Sequence, residues 1–357
     1  MLEKLTQELA AAKPLSIEQV YLAVEQLTAG NVAPAAKADF LSALARKGET
    51  VEEIAAFARA LREKSIPPPL DEETRRGEIL DVVGTGGDRM NTFNISTTVA
   101  IVCAAAGVAV AKHGNRAVTS RVGSADVLEA LGVRIDLPPA EAAQSLRERG
   151  FAFFFAPNYH PAFKHIGPAR KLCAERGQRT IFNFLGPLLN PARPSALLVG
   201  VPRPELCEPL ARVLQSLGVR RAMVVAGKVP GSRLPVAGSA AADSYLDELS
   251  TLGETTIAEF YQERGRTGSV LANDAFPLQP ATLADLAGGD LQTNAALVRR
   301  LLEGEERGPK RDVILLNAAA ALFVADRSRS LMEGWDLAAG LIDGGQALKK
   351  LNQLAER

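Results

Sequence analysis

The chain carries a glycine-rich segment directly after a short apolar run. Residues 81–97 have the sequence DVVGTGGDRMNTFNIST. A strand that ends at Gly84–Gly87 and a helix that begins near Asn94 would direct backbone N–H groups and a helix N-terminus at the same point, and both attract anions. The glycines of an isolated GTGG motif also fit a tight turn that serves backbone geometry alone. The segment alone therefore fits either a phosphate-binding loop or a purely structural turn, and the other polar clusters are needed to distinguish the two.

A second polar cluster follows the next predicted strand. Residues 112–126, KHGNRAVTSRVGSAD, place Lys112, Arg116 and Arg121 among small residues, and a Gly-Ser pair opens the next helix at Ser124. Ligands of parallel α/β sheets bind beyond the carboxyl ends of the strands. Charged donors and amides at such a point suit a phosphate group, whereas a solvated loop with a Ser N-cap explains Ser124 alone. The cluster favours a phosphate site.

A third cluster, LDELS at residues 246–250, supplies the adjacent carboxylates of Asp247 and Glu248. Mg²⁺ typically binds one or two carboxylates together with substrate phosphate oxygens and water. Adjacent acidic residues also cap helices or face solvent. The pair on its own therefore fits both a metal site and a solvated surface.

The histidines do not suggest a metal site on one helix face, because His160 and His165 are five residues apart. Lone histidines of this kind more often have structural roles. His113, flanked by Lys112 and Asn115, is the one expected near a ligand. No Ser/His/Asp or Cys/His arrangement is apparent, so the sequence predicts no covalent nucleophile, and a direct displacement needs none.

Two kinds of element must position these groups. Residues 1 to about 65 lack strand-like alternation, and they are predicted to be helical. Two capping boxes support this prediction, Ser16 with Gln19 and Thr50 with Glu53. A proline-rich and charged connection, SIPPPLDEETRRGE, then leads into β-branched runs that alternate with helical segments. This alternation is typical of an α/β domain with a largely parallel sheet.

Two later segments have a distinctive composition. Residues 228–243, KVPGSRLPVAGSAAAD, are rich in Gly, Pro, Ser and Ala and are predicted to form a long mobile loop. The apolar stretch VILLNAAAALFVAD, residues 313–326, is predicted to be a buried helix.

Composition narrows the class of protein. The 357 residues, 47% of them hydrophobic, are enough for two domains with buried cores. The 41 basic residues balance the 41 acidic ones, so no global field attracts nucleic acid or an anionic membrane. The scattered Cys103, Cys173 and Cys207 argue against a disulfide framework and fit a reducing cytoplasm. Neither the start MLEKLTQELA nor any apolar run resembles a secretory signal or a membrane span. A cytoplasmic protein without membrane or nucleic-acid partners is expected.

Six motifs together resemble the anthranilate phosphoribosyltransferase family: GTGGD, NTFNIST, KHGNR, GSADVLEALG, RTIFNFLGPLLNPA and LNAAAALFVA. Their order and spacing span nearly the whole chain. The resemblance implies transfer of a phosphoribosyl group from phosphoribosyl pyrophosphate to the amine of anthranilate in tryptophan biosynthesis, with Mg²⁺ and release of pyrophosphate. It also implies a nucleoside-phosphorylase-like α/β fold. A helical domain at 1–70, joined by helices from about 160–185, would precede an α/β domain at 78–357, and a homodimer would form through the helical domain.

The resemblance assigns roles to the polar clusters. The residues expected to bind phosphoribosyl pyrophosphate are Gly84, Thr85, Gly86, Gly87, Asp88, Thr92, Asn94, Ser96, Thr97, Lys112 and Ser124. Ser96 is expected to contribute to one Mg²⁺ site, and Asp247 and Glu248 are expected to hold a second. The residues expected to bind anthranilate are Gly84, His113, Asn115 and Arg170. The Arg170 guanidinium would be available to the anthranilate carboxylate. The segment between Pro168 and Thr180 is slightly longer than the family form, so Arg176 and Arg179 are rival candidates for this last role.

The chain departs from the family pattern at Ala226, where histidine is frequent, and at Arg121, where lysine is common. Two rival functions follow from the fold. A pyrimidine-nucleoside phosphorylase would have an STGG-type loop and would lack the NTFNIST and RTIFNFLGPLLNPA combination. A non-catalytic nucleic-acid-binding member of the superfamily would carry a basic surface. The balanced charge and the retained Asp247 and Glu248 argue against the second rival.

Overall fold

The computed structural model describes residues 1–117, 121–234, 242–261 and 267–356. The α-helices are α1 (Leu2–Ala10), α2 (Ile17–Thr28), α3 (Pro34–Lys47), α4 (Val51–Glu63), α5 (Glu72–Arg76), α6 (Ile95–Ala105), α7 (Ser124–Ala130), α8 (Pro139–Arg149), α9 (Ala156–Tyr159), α10 (Gly167–Glu175), α11 (Cys207–Ser216), α12 (Leu291–Glu303), α13 (Pro309–Val324), α14 (Leu331–Asp343) and α15 (Gln346–Ala355). The strands are β1 (Ile79–Gly84), β2 (Ala109–Gly114), β3 (Phe151–Phe155), β4 (Ala196–Gly200), β5 (Arg221–Leu234), β6 (Ala242–Leu246), β7 (Thr255–Tyr261) and β8 (Thr267–Leu271). Short 3-10 helices lie at Pro161–His165, Ile181–Asn183, Gly186–Leu189, Pro204–Leu206, Asn273–Ala275 and Leu283–Leu286.

The N-terminal helices begin where their capping residues predict. The Ser16 hydroxyl accepts a hydrogen bond from the Gln19 N–H, and the Thr50 hydroxyl accepts one from the Glu53 N–H. Each box satisfies donors at a helix start that have no partner within the helix. The helical prediction for this part of the chain is confirmed, and α1–α4 bury an apolar core between them.

Helix α10 packs against α3, although the two are far apart in sequence. The buried Lys37 Nζ donates to the carbonyl oxygens of Ala29 at 2.7 Å and His165 at 2.9 Å. Arg176 forms an ion pair with Asp39 at 2.8 Å. One apolar core therefore continues from the N-terminal helices through α10 and α11 into one face of the sheet.

One mixed sheet carries the α/β part, in the order β3-β2-β1-β4-β5-β7-β8 with β6 paired to β5. Neighbouring strands from β3 to β5 in this order are parallel to each other. Strands β6, β7 and β8 add antiparallel pairs. Parallel neighbours need crossover connections, and α6, α8 and α11 lie in these crossovers. The predicted fold class, a helical N-terminal part followed by an α/β part with a mostly parallel sheet, is confirmed.

The other face of the sheet is covered by α6 and by the C-terminal helices α12–α15. Most of α13 is buried, which confirms the predicted helix in this stretch. Among the residues that the structure describes, no helix combines the length and apolar composition needed to cross a bilayer.

The described residues of the predicted loop at 228–243 belong to two antiparallel strands instead. Strand β5 extends into this segment and pairs antiparallel with β6, while residues 235–241 lie outside the described part. The loop prediction is therefore wrong for the described residues. Pro230 and Gly231 lie where the register between the two strands shifts. A β-bulge can accommodate Pro and Gly, which a regular β-ladder disfavours. The Pro and Gly content of this segment therefore led to the wrong prediction of a loop.

Candidate active site

The glycine loop begins where β1 ends. The Thr85 N–H still donates to the Gly200 carbonyl oxygen of β4 at 2.9 Å, which extends the strand pairing by one residue. The chain then turns, because Gly86 and Gly87 have φ angles of +74° and +84°. Residues with a Cβ rarely adopt this left-handed region. The GTGG segment therefore forms a turn that requires glycine at two positions, and this geometry is compatible with both interpretations of the motif.

The acidic segment after β6 meets this loop. The Gly86 N–H donates to Asp247 Oδ2 at 2.7 Å. A Cβ added to Gly84 would lie 2.2 Å from the same oxygen, and one added to Gly200 would lie 1.5 Å from the Asp247 carbonyl oxygen. Glycines at the carboxyl ends of β1 and β4 thus leave the space that Asp247 occupies. The glycine loop and the acidic segment share one site at this edge of the sheet, because β6 runs antiparallel to β5 and returns the chain to the carboxyl ends of β1 and β4.

Asp247 and Glu248 are partly buried and lie near a third carboxyl group, that of Asp88. Burial first, and then the charges of Asp88 and Glu248, raise the pKa of Asp247 well above its ordinary value. Burial raises the pKa of Glu248 to about 8, against the opposing charge of Lys112. Acids that retain protons in this way lack sufficient positive charge around them. The site is electrostatically suited to a cation.

The available donors are oxygens, which Mg²⁺ prefers. The Ser96 N–H interacts with the Glu248 carboxylate, and the Ser96 hydroxyl lies 3.4 Å from Lys112 Nζ. No group of three or more His, Cys, Asp or Glu side chains within the described ranges is arranged to hold a metal ion. Mg²⁺ commonly completes its shell with substrate phosphates and water, so two carboxylates and a hydroxyl fit this ion.

Asn94, immediately before α6, connects two other segments and does not cap the helix with its side chain. Its Nδ2 donates to the Val122 carbonyl oxygen at 3.2 Å, and its Oδ1 accepts from Asn294 Nδ2 at 3.2 Å. The first turn of α6 therefore has no side-chain cap, and its Ser96 N–H is directed toward the acidic segment. Asn294 was not predicted, because no local pattern marks a partner 200 residues away.

The predicted cationic cluster divides into two parts. Lys112 is buried, and its Nζ donates to the Val82 carbonyl oxygen at 2.7 Å. Arg116 instead pairs with Asp126 at 3.0 Å and with Glu129 at 2.8 Å. These carboxylates already neutralise the Arg116 guanidinium, so the structure does not place it with Lys112.

The remainder of that cluster lies at the start of α7. Ser124 begins this helix as predicted, and its Oγ donates to the Asn115 carbonyl oxygen at 3.4 Å. Arg121 is exposed, and residues 118–120 lie outside the described part. Ser124 and Asn115 therefore adjoin each other beyond the end of β2.

His113, on β2, contacts His160 from the segment after α9. Their Nε2 atoms are 3.2 Å apart, so one ring donates a hydrogen bond to the other. Burial lowers the pKa of His113 to about 3 and that of His160 to about 4. Both imidazoles are therefore neutral at neutral pH and contribute hydrogen bonds without charge. Sequence reasoning selected His113 and missed His160, because the pair exists only in the folded chain.

A row of aromatic rings leads from this pair toward one of the arginine candidates. The rings of His160 and Phe163 lie 5.1 Å apart, and those of Phe163 and Phe182 lie 5.8 Å apart. The Arg170 guanidinium carbon is 5.4 Å from the centre of the Phe182 ring. Aromatic surfaces beside a planar cation suit an aromatic carboxylate.

The other two arginine candidates have different surroundings. Arg176 pairs with Asp39 on α3 at 2.8 Å, where it joins α10 to the N-terminal helices. Arg179 lies at the glycine loop, with its Nη2 3.4 Å from the Gly87 carbonyl oxygen. Neither contact belongs to the row of rings.

A buried polar network supports the site from inside the sheet. Asp81 on β1 is fully buried, and its Oδ2 accepts from Asn190 Nδ2 at 2.8 Å. Its Oδ1 lies 3.4 Å from the His113 N–H. Burial raises the pKa of Asp81 to about 6, against the charge of Lys112. Sequence reasoning overlooked this acid, although its place within an apolar strand is itself a signal of burial with partners.

Most of the predicted residues lie at the carboxyl ends of β1 and β2, at the start of α6 and α7, or after β6. They are Gly84, Thr85, Gly86, Gly87, Asp88, Asn94, Ser96, Lys112, His113, Asn115, Ser124, Asp247 and Glu248. Thr97 is buried in α6, and Thr92 forms an isolated bridge with Ala287. Arg170 lies apart from this group, at the end of the row of rings.

Both parts of the chain match known families. Residues 2–65 match the glycosyl transferase family, helical bundle domain, and residues 76–348 match the glycosyl transferase family, a/b domain. A relative from Thermomicrobium roseum named anthranilate phosphoribosyltransferase is 46% identical over 99% of this chain and 96% of its own length.

Solved structures give the same result. The crystal structure of anthranilate phosphoribosyltransferase from Thermus thermophilus is 42% identical, covers 98% of each chain and has a TM-score of 0.84. The structure of anthranilate phosphoribosyltransferase from Saccharomyces cerevisiae in complex with phosphoribosyl pyrophosphate and Mg is 28% identical in sequence. The match covers 99% of this chain and 96% of the yeast chain, with a TM-score of 0.82. The same yeast enzyme in complex with 4-fluoroanthranilate has equal coverage and TM-score at 26% identity.

The sequence identity is high, and the matches cover nearly all of this chain and of each relative. The order of the two matched domains agrees with the observed architecture, in which the glycine loop meets the acidic segment. The chain belongs to the anthranilate phosphoribosyltransferase family.

Proposed function

We propose that this chain transfers the 5-phosphoribosyl group of phosphoribosyl pyrophosphate to the amine of anthranilate, in tryptophan biosynthesis. The bond between the anomeric carbon and pyrophosphate breaks, a bond from that carbon to the anthranilate nitrogen forms, and the amine loses a proton. The observation that carries this proposal is the junction at which the Gly86 N–H lies 2.7 Å from the Asp247 carboxylate. A phosphate-binding loop that adjoins a cation site suits a substrate with a metal-bound diphosphate.

The phosphoribosyl pyrophosphate lies along the glycine loop and the start of α6. Backbone amides of residues 84–87 bind the pyrophosphate, while Asp88, Asn94 and Thr97 hold the phosphoribosyl moiety. Lys112 neutralises phosphate charge, which is supported by its buried Nζ beside the Ser96 hydroxyl. Further contacts come from Thr92 and Ser124.

Mg²⁺ binds at two sites, one to which Ser96 contributes and a second held by Asp247 and Glu248. When bound, Mg²⁺ stabilises negative charge on the departing pyrophosphate. The proposal is supported by the raised pKa values of Asp247 and Glu248, since a cation would favour their charged forms.

Anthranilate binds beside Gly84, His113, Asn115 and Arg170. The row of rings provides flat apolar surface for the aromatic ring, and the Arg170 guanidinium binds the carboxylate. Because the pKa of His113 is about 3, its neutral ring is a weak base. The chain is therefore expected to act on the acceptor mainly by orientation.

Orientation and preorganised donors account for the chemistry. As pyrophosphate departs, positive charge develops on the ribose and negative charge on the leaving group, and amides aimed at the latter lower the barrier. The anthranilate amine is a weak nucleophile, and holding it against the anomeric carbon contributes up to roughly 7 to 11 kcal/mol in the best cases. No step requires a covalent nucleophile from the protein.

Arg170→Ala should raise the KM for anthranilate by about 10- to 100-fold, because a charge-assisted bidentate contact contributes about 1.5–3 kcal/mol. The KM for phosphoribosyl pyrophosphate should change little. Arg170→Lys should restore only a small part of the anthranilate affinity, since an ammonium group lacks the planar pair of N–H donors of a guanidinium. Steady-state kinetics with each substrate varied in turn measures both constants.

Arg176→Ala is the matched control for Arg170, because it removes an arginine of the same segment that already pairs with Asp39. It should leave both KM values near those of the parent. A selective anthranilate defect in Arg176→Ala or Arg179→Ala, with Arg170→Ala unaffected, would show that another arginine binds the carboxylate.

The helical domain comprises residues 1–70 joined by helices from about 160–185, and the α/β domain comprises 78–357. The packing of α10 against α3 supports this division. A homodimer forms through the helical domain, where Ile17 and Leu22 are 54% and 44% exposed. The reaction takes place in the cytoplasm, as the three free and buried cysteines suit a reducing compartment.

One assay tests the function as a whole. Purified protein with phosphoribosyl pyrophosphate and Mg²⁺ should consume anthranilate, measured as loss of its fluorescence, and should release pyrophosphate in equal amount. A chelator should abolish both signals, and excess Mg²⁺ should restore them. Absence of turnover in folded protein supplied with both substrates and Mg²⁺ would exclude the proposed reaction.

A further inference from the structure

Arg179 lies at the glycine loop but belongs to a segment that follows α10. Its Nη2 is 3.4 Å from the Gly87 carbonyl oxygen, and a Cβ built on Gly87 would lie 4.0 Å from the same nitrogen. A guanidinium has five N–H donors, and one long contact to a carbonyl occupies only one of them. Most of the hydrogen-bonding capacity of Arg179 is therefore available beside the loop.

Further arginines lie around this group. Arg89, in the loop itself, adopts a left-handed backbone conformation with φ of +61°. Arg203, after β4, pairs with Glu205 at 3.6 Å across an exposed surface. Partial burial, and then the charges of Arg203 and Arg89, lower the pKa of Arg179. Arg203 has a carboxylate partner, but no carboxylate among the described residues forms an ion pair with Arg179 or Arg89, so the charges of these two arginines are not offset by an ion pair.

We propose that Arg179 binds the diphosphate group of phosphoribosyl pyrophosphate, and then the released pyrophosphate, from the side of the glycine loop at Gly87. This inference rests on the proposed function and adds a residue to the diphosphate site. Arg179 is thus a second cationic group for this substrate, in addition to Lys112 on β2.

The position favours diphosphate over the anthranilate carboxylate. Arg179 contacts the loop whose amides face an anion, whereas Arg170 contacts the Phe182 ring. A planar guanidinium recognises phosphate oxygens in pairs, and mutual repulsion with Arg89 and Arg203 is relieved when an anion binds between like charges.

The competing explanation is that Arg179 only holds the glycine loop in place through Gly87. The two roles predict different results for Arg179→Gln. Glutamine retains an N–H₂ donor that can reach a carbonyl oxygen but removes the charge. A loop-holding role tolerates this change, whereas a diphosphate-binding role does not.

Calorimetry on the full chain with Mg²⁺ distinguishes the two, with pyrophosphate and ribose 5-phosphate as separate ligands. Arg179→Gln should raise the Kd for pyrophosphate about 10- to 100-fold and leave that for ribose 5-phosphate nearly unchanged. Arg179→Lys should recover part of the loss because it retains the charge. Arg176→Gln, three residues earlier on the other side of Gly177, is the matched control and should bind both ligands like the parent.

Pyrophosphate affinity in folded Arg179→Gln equal to that of the parent would overturn the inference and leave the proposed function intact. Equal losses for pyrophosphate and ribose 5-phosphate would also overturn it, since they indicate general disorder of the loop. A parent protein that binds neither ligand and does not consume anthranilate would exclude the proposed function itself. A thermal melt of each variant establishes that it is folded.

Discussion

Replacing Asp247 by Asn together with Glu248 by Gln should lower kcat/KM by about a hundredfold or more, because metal stabilisation of transition-state charge contributes several kcal/mol. The fold should persist, and the melting temperature should not fall, since both carboxyl groups have pKa values raised by burial. Neutral amides remove that unfavourable charge burial. Raising the Mg²⁺ concentration should restore activity only partly.

Asp243→Asn is the matched control, because it neutralises a carboxylate on β6, the strand that leads into the acidic segment, and this carboxylate pairs with Lys228 at 2.8 Å on the surface. Exposed ion pairs contribute little to folding stability, so the activity of Asp243→Asn should resemble that of the parent. Near-normal turnover of the folded Asp247 and Glu248 double variant at limiting Mg²⁺ would contradict their assignment as metal ligands.

Gly200→Ala should be almost as damaging, although Gly200 has no functional group. A Cβ at this position would lie 1.5 Å from the Asp247 carbonyl oxygen, and a backbone atom cannot move aside as a side-chain end can. The acidic segment must shift, and a displacement of about 1 Å at a reacting group can cost about a hundredfold in rate. We expect a lower kcat, a higher Mg²⁺ requirement, and a loss of stability of about 1–3 kcal/mol.

Gly268→Ala, in the antiparallel part of the same sheet, is the control, because nothing lies within 4 Å of its added Cβ. Activity and Mg²⁺ titrations of both variants, with chemical denaturation for stability, measure the difference. Full activity and an unchanged Mg²⁺ requirement in Gly200→Ala would show that the acidic segment does not depend on this close approach.

Local sequence patterns predicted the structure correctly wherever the interacting residues are close together in sequence. The capping boxes at Ser16 and Thr50 join residues three positions apart and form as predicted. The turn at Gly86 and Gly87 depends on the φ angles of those two residues. The alternation of strands and helices also gave the fold class, because each amphipathic element reveals its buried face through its own periodicity.

Motif order also predicted which segments form the candidate active site. The glycine loop and the Asp247–Glu248 pair were assigned to one site because carboxyl ends of parallel strands meet at one edge of the sheet. The hydrogen bond between Gly86 and Asp247 spans 161 positions, and it forms because β6 runs antiparallel to β5 and returns the chain to that edge. The rule does not specify which atoms meet, so it gave no indication that Gly200 leaves space for Asp247.

Individual contacts across distant segments depended on the folded chain. Asp81 and Asn190 are 109 positions apart, and His113 and His160 are 47 apart. A hydrogen bond of about 3 Å requires two backbones to approach at one register, and residue type alone does not encode that register. Composition misassigned the described part of residues 228–243 for the same reason, since pairing of β5 with β6 outweighed the local turn preference of Pro230.

The three arginines after Pro168 show the limit most clearly. Arg170, Arg176 and Arg179 are chemically identical, and the sequence left all three as candidates for one role. Folding places one on the Phe182 ring, one on Asp39 and one at Gly87. The amino-acid sequence determined that cationic groups and a glycine loop are present. The packing of α10 against α3 and the sheet determined which residue each arginine contacts, because a side chain acquires its partner only when the segment that carries it is packed in the folded chain.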